Sequence, residues 1–238
     1  MVLVAVPLAC AAVLAVEVLL ARRGTQPAGA PLRLDGEVGA APGGPTLRLL
    51  WLGDSTAAGV GASGPGASLP HQVAERLGRP TQLRVLAVSG ATVADVVAHQ
   101  LPAVRAASGD RPDAVLVSVG ANDTVHLTTT GAFRSRYRRL LAGLPAGVPV
   151  VLLGVPDMGS PPRLAQPLRA IAGWRGRALD REIRALAGSR HLTYVDIAGP
   201  TGPPFRRHPG RYFSADRYHP SDAGYALWAA AVVAAWRP

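Results

Sequence analysis

The chain of 238 residues contains no lysine, and its only cysteine is Cys10. Each absence excludes chemistry. Without lysine there is no Walker-type phosphate loop, no Schiff-base enzyme and no Ser-Lys dyad, because each of these needs the amine. One cysteine rules out an intramolecular disulfide framework and a cysteine-rich zinc or iron–sulfur site, so stability has to come from packing. Charged residues make up only 17% against 48% hydrophobic ones, which excludes a disordered chain. The 27 glycines and 22 prolines do not follow the three-residue period of collagen. The length suits one domain and a short extra segment.

Net charge is +10, and every fixed cation is an arginine. The arginines run from Arg22 to Arg237, with a local density at Arg134, Arg136, Arg138 and Arg139. Such a spread describes solvated faces and gives no sign of nucleic-acid binding, with attraction to an anionic lipid or substrate as the lesser reading.

In residues 2–21 only Pro7 and Glu17 interrupt an apolar run, and about 20 such residues cross a bilayer as a helix. The run is a membrane segment or an export signal; a buried amphipathic helix would show polar residues every three or four positions. Arg22 and Arg23 follow the run instead of preceding it, and Pro31 spoils Ala28-Gly29-Ala30 as a cleavage site. Residues 1–23 are therefore expected to anchor the chain. Residues 24–45, dense in Gly, Pro and Ala and without periodicity, read as a flexible linker. A folded domain is expected over 46–238.

Five short runs rich in Val and Leu, at 47–52, 83–88, 114–119, 148–153 and 192–197, are hydrophobic throughout instead of alternating. That pattern marks strands covered on both faces, as in a parallel sheet between helices. Helix-compatible stretches at 67–77, 93–107, 132–141, 164–187 and 223–236 alternate with them, so a three-layer α/β/α domain around a five-stranded parallel sheet is predicted. Reactive residues in such sheets collect past the carboxyl ends of strands. There the sequence has Gly53-Asp54-Ser55, Ser89-Gly90 and Gly120-Ala121-Asn122-Asp123. With strand order 2-1-3-4-5 these loops lie side by side, bringing a serine, a glycine N–H and an asparagine amide to one point. A nucleophilic serine needs a base. Asp216 stands three residues ahead of His219, just before the last helix, where it can hold the imidazole by Nδ1–H and leave Nε2 for Ser55.

At these four blocks, in the same order, the chain resembles the SGNH hydrolases, the GDSL-type esterases and lipases. The resemblance covers roughly residues 46–238 and implies a flavodoxin-like fold. It further implies Ser55 as nucleophile, His219 as base with Asp216 behind it, and an oxyanion hole made by Ser55, Gly90 and Asn122. The activity implied is hydrolysis of a small-molecule or lipid ester through an acyl-enzyme, without metal or cofactor, by a monomeric catalytic domain. A thioesterase, a carbohydrate acetyl-esterase and a silent membrane-tethered binding module would use the same frame. Relatives with such a first segment usually act outside the cytoplasm, whereas Arg22 and Arg23 argue for the inside; the exterior is the expectation.

Other features read as structural. Asp54 and Asp123 suit turn or helix caps. His71, His99, His126, His191 and His208 have no acid at the His219 spacing, and Trp51 and Trp228 suit the core. Gly59-Val60-Gly61-Ala62-Ser63-Gly64 matches a dinucleotide-binding pattern but starts too late after its strand and lacks the ribose-binding acid, so it is expected to form a mobile loop beside Ser55. An α/β-hydrolase would place its serine mid-chain and its acid far from its histidine.

Overall fold

The computed structural model describes residues 31–39, 45–106, 111–188, 192–236 and 238. Six strands, β1 (Gly36–Val38), β2 (Leu47–Gly53), β3 (Thr81–Val85), β4 (Ala114–Ser118), β5 (Val150–Leu153) and β6 (Leu192–Val195), form one sheet in the order β1-β3-β2-β4-β5-β6. Strands β2 to β6 are parallel, in the spatial order anticipated from sequence. Alternation along each strand divides the core. Leu47, Leu49, Trp51, Leu116, Val151 and Leu153 face one helical layer, while Leu50, Leu52, Val115, Val117, Val150 and Leu152 face the other.

The first layer holds α1 (Leu69–Arg76) and the last helix, α8 (Asp222–Ala235), which presents Tyr225, Trp228, Ala229 and Val232 to the sheet. The second holds α2, α4 (Thr130–Gly143) and α5 (Leu168–Leu186). Helix α2 begins at Val93–Asp95, widens through a π-helical turn at Val96–Gln100 and ends as Leu101–Ala106. Its start is fixed by Thr92 and Asp95, which cap each other reciprocally. Three shorter helices lie beside the carboxyl edge of the sheet: α3 (Ala121–Val125), α6 (Ala198–Arg207) and α7 (Pro209–Tyr212).

Two expectations are corrected. Residues 24–45 are not linker throughout, because β1 lies within them and pairs antiparallel with β3, making the sheet six-stranded. The reason is local: Leu34 and Val38 are buried, Val85 N donates to Asp35 Oδ1 at 2.7 Å, and His71 Nε2 bonds Leu34 O at 3.1 Å. A chain starting at Thr46 would therefore lose two core side chains and uncover an edge of β3. Second, residues 198–212, outside every stretch expected to be helical, form α6 and α7. Pro203 and Pro204 stand inside α6, where propensity disfavours them, but Phe205 packs on Phe213 and Trp228 and tertiary contact prevails.

No helix among the described residues is long and apolar enough to cross a membrane. The expected segment at 2–21 lies outside the described residues.

Candidate active site

Strand β2 delivers Ser55 to the carboxyl edge. Gly53 ends it at φ +156°, and a Cβ there would stand 2.2 Å from Ser118 O on β4, so only glycine allows the close approach. Buried Gln100, in the π-helical turn of α2, grips the same residue. Gly53 N donates to its Oε1 at 2.9 Å, and its Nε2 donates to Gly53 O at 2.8 Å. Sequence reasoning missed Gln100; the available signal was a lone uncharged amide in the apolar face of a helix. Ser55 itself is buried, and its main chain turns back at once, Val60 N donating to Ser55 O at 2.9 Å.

His219 sits on a turn between α7 and α8 that is held from within. Asp216 Oδ1 accepts from Ser214 Oγ at 2.7 Å and from the N–H groups of Tyr218 and His219, each at 2.9 Å. Arg217 at the bend takes φ +59°, and Ser214 N donates to His219 O at 2.8 Å to close the turn. The second carboxylate oxygen, Asp216 Oδ2, accepts from His219 Nδ1 at 2.5 Å, and His219 Nε2 lies 3.0 Å from Ser55 Oγ. Burial alone would raise the Asp216 carboxyl, but the hydrogen bonds from His219, Ser214 and Tyr218 outweigh it and hold its pKa well below the usual range. A charged acceptor thus faces Nδ1, leaving Nε2 toward the serine.

Asn122 lies in α3, directly after β4. Its Nδ2 donates to Ala91 O at 3.0 Å, which fixes the amide plane and leaves a second N–H. Asn122, Ser55 and His219 line a single cavity of about 40 Å³, whose apolar wall includes Met158, Phe205, Phe213 and Trp228. Gly90 does not line it. Gly90 is exposed at φ +84° on the loop after β3, tied to the site through its neighbours: Val88 N donates to Gly53 O at 3.1 Å, and Ala91 holds Asn122. Among the described residues no three His, Cys, Asp or Glu side chains converge as a metal set. His71 and His126 bond main-chain carbonyls, of Leu34 and of Asn122.

The segment 59–64 behaves differently from expectation. Tyr225 OH donates to Val60 O at 2.5 Å, and Asp222 accepts from Ser63 N at 2.8 Å and from Ser63 Oγ at 2.6 Å. Gly61, at φ +94°, has room only for hydrogen, since a Cβ would lie 2.5 Å from Pro220 O and 3.1 Å from His219 Cβ. This is a brace behind His219, pinned to the start of α8, and not a mobile loop.

Asp54 does not touch His219. Its Oδ1 accepts from Thr56 N at 3.0 Å and Thr56 Oγ1 at 2.8 Å, the local cap anticipated for it. Burial raises its pKa to about 6, against the Thr56 hydrogen bonds that lower it. Between about pH 4 and 6 the folded chain therefore binds this proton more tightly than the unfolded one, and stability falls as pH rises through that window. Asp54→Asn keeps the acceptor and removes the charge. It is expected to gain about 2 kcal/mol over the wild type on going from pH 4 to pH 7, read as the difference between their urea unfolding curves. An unchanged difference across that range would contradict the assignment.

A model of the GDSL-like lipase/acylhydrolase family matches residues 51–227. A GDSL-like esterase of Mycobacterium tuberculosis is 36% identical over 213 residues, 83% of this chain and 67% of that protein. Among solved structures, a lipolytic protein of the G-D-S-L family from Veillonella parvula superposes with a TM-score of 0.66 at 14% identity, covering 80% of this chain and 98% of that one. Axe2, an acetylxylan esterase from Geobacillus stearothermophilus, does so with a TM-score of 0.56 at 21% identity, covering 85% and 95%. At these identities the structural likenesses establish the fold.

Proposed function

We propose, for a chain that belongs to the GDSL-like lipase/acylhydrolase family and is a hydrolase acting on ester bonds, that Ser55, His219 and Asp216 carry the reaction. The observation behind this is the hydrogen-bonded line from Ser55 Oγ to His219 Nε2 at 3.0 Å and from His219 Nδ1 to Asp216 at 2.5 Å. Ser55 Oγ attacks the acyl carbon while His219 Nε2 takes its proton. The oxyanion is met by the backbone N–H of Ser55 and by the Asn122 amide, the two of the three expected donors that border the cavity. The bond to the leaving oxygen breaks, His219 returns the proton to it, and the acyl group stays on Ser55. Water then gives a proton to His219 and attacks the acyl carbon, the bond to Ser55 Oγ breaks, His219 returns the proton to Oγ, and the acid leaves. Asp216, kept ionised by its hydrogen bonds, stabilises the imidazolium formed in both halves.

The narrow cavity of about 40 Å³ beside Ser55 favours small acyl groups over long chains. One experiment tests nucleophile and cavity together. Alkylphosphonate esters are expected to modify Ser55 alone, found by peptide mass, and the methyl compound to react faster than the hexyl one. Modification of another serine overturns the nucleophile, and faster reaction of the hexyl compound overturns the small acyl group.

The apolar run at 2–21 supports a further part of the reading, a chain held in the membrane, and the habit of relatives with such a segment favours the extracytoplasmic face against Arg22 and Arg23. External protease added to intact cells is then expected to digest the domain. A membrane-bound but protected domain would place it inside.

A further inference from the structure

Among the described residues, Val88, Val125, Leu127 and Trp174 are the large apolar side chains left in solvent, exposed by 56%, 42%, 65% and 62%. They are not scattered. Val88 precedes Gly90, Val125 ends α3, Leu127 follows it, and Trp174 lies in α5. Hydrogen bonds join the three segments: Asn122 Nδ2 to Ala91 O, Val93 N to Asp123 Oδ2, and the Arg175 guanidinium to Thr124 O at 3.1 Å and Thr128 O at 2.9 Å. The four side chains thus stand on adjoining segments, one of which, α3, also carries Asn122 into the cavity that holds Ser55. Leu127 takes φ +56°, a left-handed conformation that disfavours leucine, and the two Arg175 bonds clamp the chain around it. Folding gains nothing from holding a strained leucine in water.

The helices of this side of the molecule are basic. Helices α4 and α5, packed on each other, carry four and five arginines, with only Asp180 and Glu182 as acids. Arg138, Arg139, Arg177 and Arg181 stand on exposed positions. The density at 134–139 is therefore joined by the arginines of a second helix, α5, which also carries the solvent-facing Trp174. Nucleic acid would use the cations but not the aliphatic side chains. An anionic lipid interface takes both, the apolar tips entering the acyl boundary while arginines meet the headgroups.

We propose that Val88, Val125, Leu127 and Trp174, with the arginine face of α4 and α5, form a docking surface for an anionic lipid bilayer. Docking presents the Ser55 cavity to esters displayed at the membrane surface. The surface is argued apart from the catalytic reading, and its first test involves no turnover. Trp174 is its own reporter, because Trp51, Trp228 and Trp236 are buried. The full chain is reconstituted with vesicles of phosphatidylglycerol or of phosphatidylcholine, each with brominated acyl chains. Residues 2–21 can hold the chain on either vesicle, so the reading is quenching and not co-sedimentation. Expected are a blue shift and quenching with phosphatidylglycerol, both lost in Trp174→Phe and reduced by more than half in Arg138→Gln/Arg139→Gln or with phosphatidylcholine. A second variant, Leu127→Asn, tolerates the left-handed conformation. It is expected to raise the thermal midpoint, lower the rate on a vesicle-borne ester several-fold and leave the rate on a water-dissolved ester unchanged. Absent quenching in a vesicle-bound protein, equal quenching by the two lipids, or equal rates of Leu127→Asn and wild type on the vesicle-borne ester would each overturn the proposal. So would binding of a DNA duplex with Trp174 unquenched by lipid.

Discussion

Ser55→Ala and His219→Ala are each expected to lower kcat by about four to six orders of magnitude, with circular dichroism unchanged. The double variant is expected to be no worse than either, because nucleophile and base act as one unit across the 3.0 Å contact. Neither change opens a large cavity, since both side chains border the pocket. Asp216→Asn is expected to cost about 10⁴, as the amide no longer selects the Nδ1–H tautomer. Its loss has a signature in pH. Hydrogen bonds hold the wild-type Asp216 carboxyl well below the usual range, so it stays ionised wherever the protein is assayed, and the Asn variant is expected to be impaired throughout pH 5 to pH 9. Active His219→Ala alongside inactive His208→Ala would show that this turn is not the catalytic one.

The second large effect separates two adjacent residues. Asn122→Ala is expected to lower kcat about a hundred- to a thousandfold with little change in stability, the usual loss for one oxyanion donor. Its amide carries a single protein bond, to Ala91 O, and borders the pocket. Asp123→Ala is expected to act the other way, through stability. Asp123 is fully buried and accepts from Val93 N at 2.9 Å, joining α3 to the start of α2. Removing it leaves that N–H unpaired, at a cost of about 1–3 kcal/mol. Parallel measurement of kcat and of the urea midpoint distinguishes the two, and a catalytic loss confined to Asp123 would reverse the assignment.

The division between what was legible and what was not follows from range. The five parallel strands could be read from their continuous hydrophobicity because burial on both faces is a property each strand carries alone. Ser55, Asn122, Asp216 and His219 could be found because a strand end or a three-residue turn is local, and local spacing survives in one dimension. Their distances could not. That Ser55 Oγ meets His219 Nε2 across 164 positions depends on Gly61 fitting under Pro220 and on Asp222 and Tyr225 gripping the segment 60–63, contacts between parts of the chain that sequence does not order in space.

The sequence by itself determined the class of fold, the positions of the five parallel strands and the residue types at their ends, since periodicity and turn chemistry act over a few residues. Tertiary structure decided the rest. It recruited Gly36–Val38, too short and too glycine-rich to read as a strand, because β3 offered an open edge and the core had room for Leu34 and Val38. It made a helix of the proline-bearing stretch 198–207, where Phe205 packs on Phe213 and Trp228. And it left Val88, Val125, Leu127 and Trp174 exposed on adjoining segments, which no spacing along the chain foretells, because packing alone decides which apolar side chains are left in water.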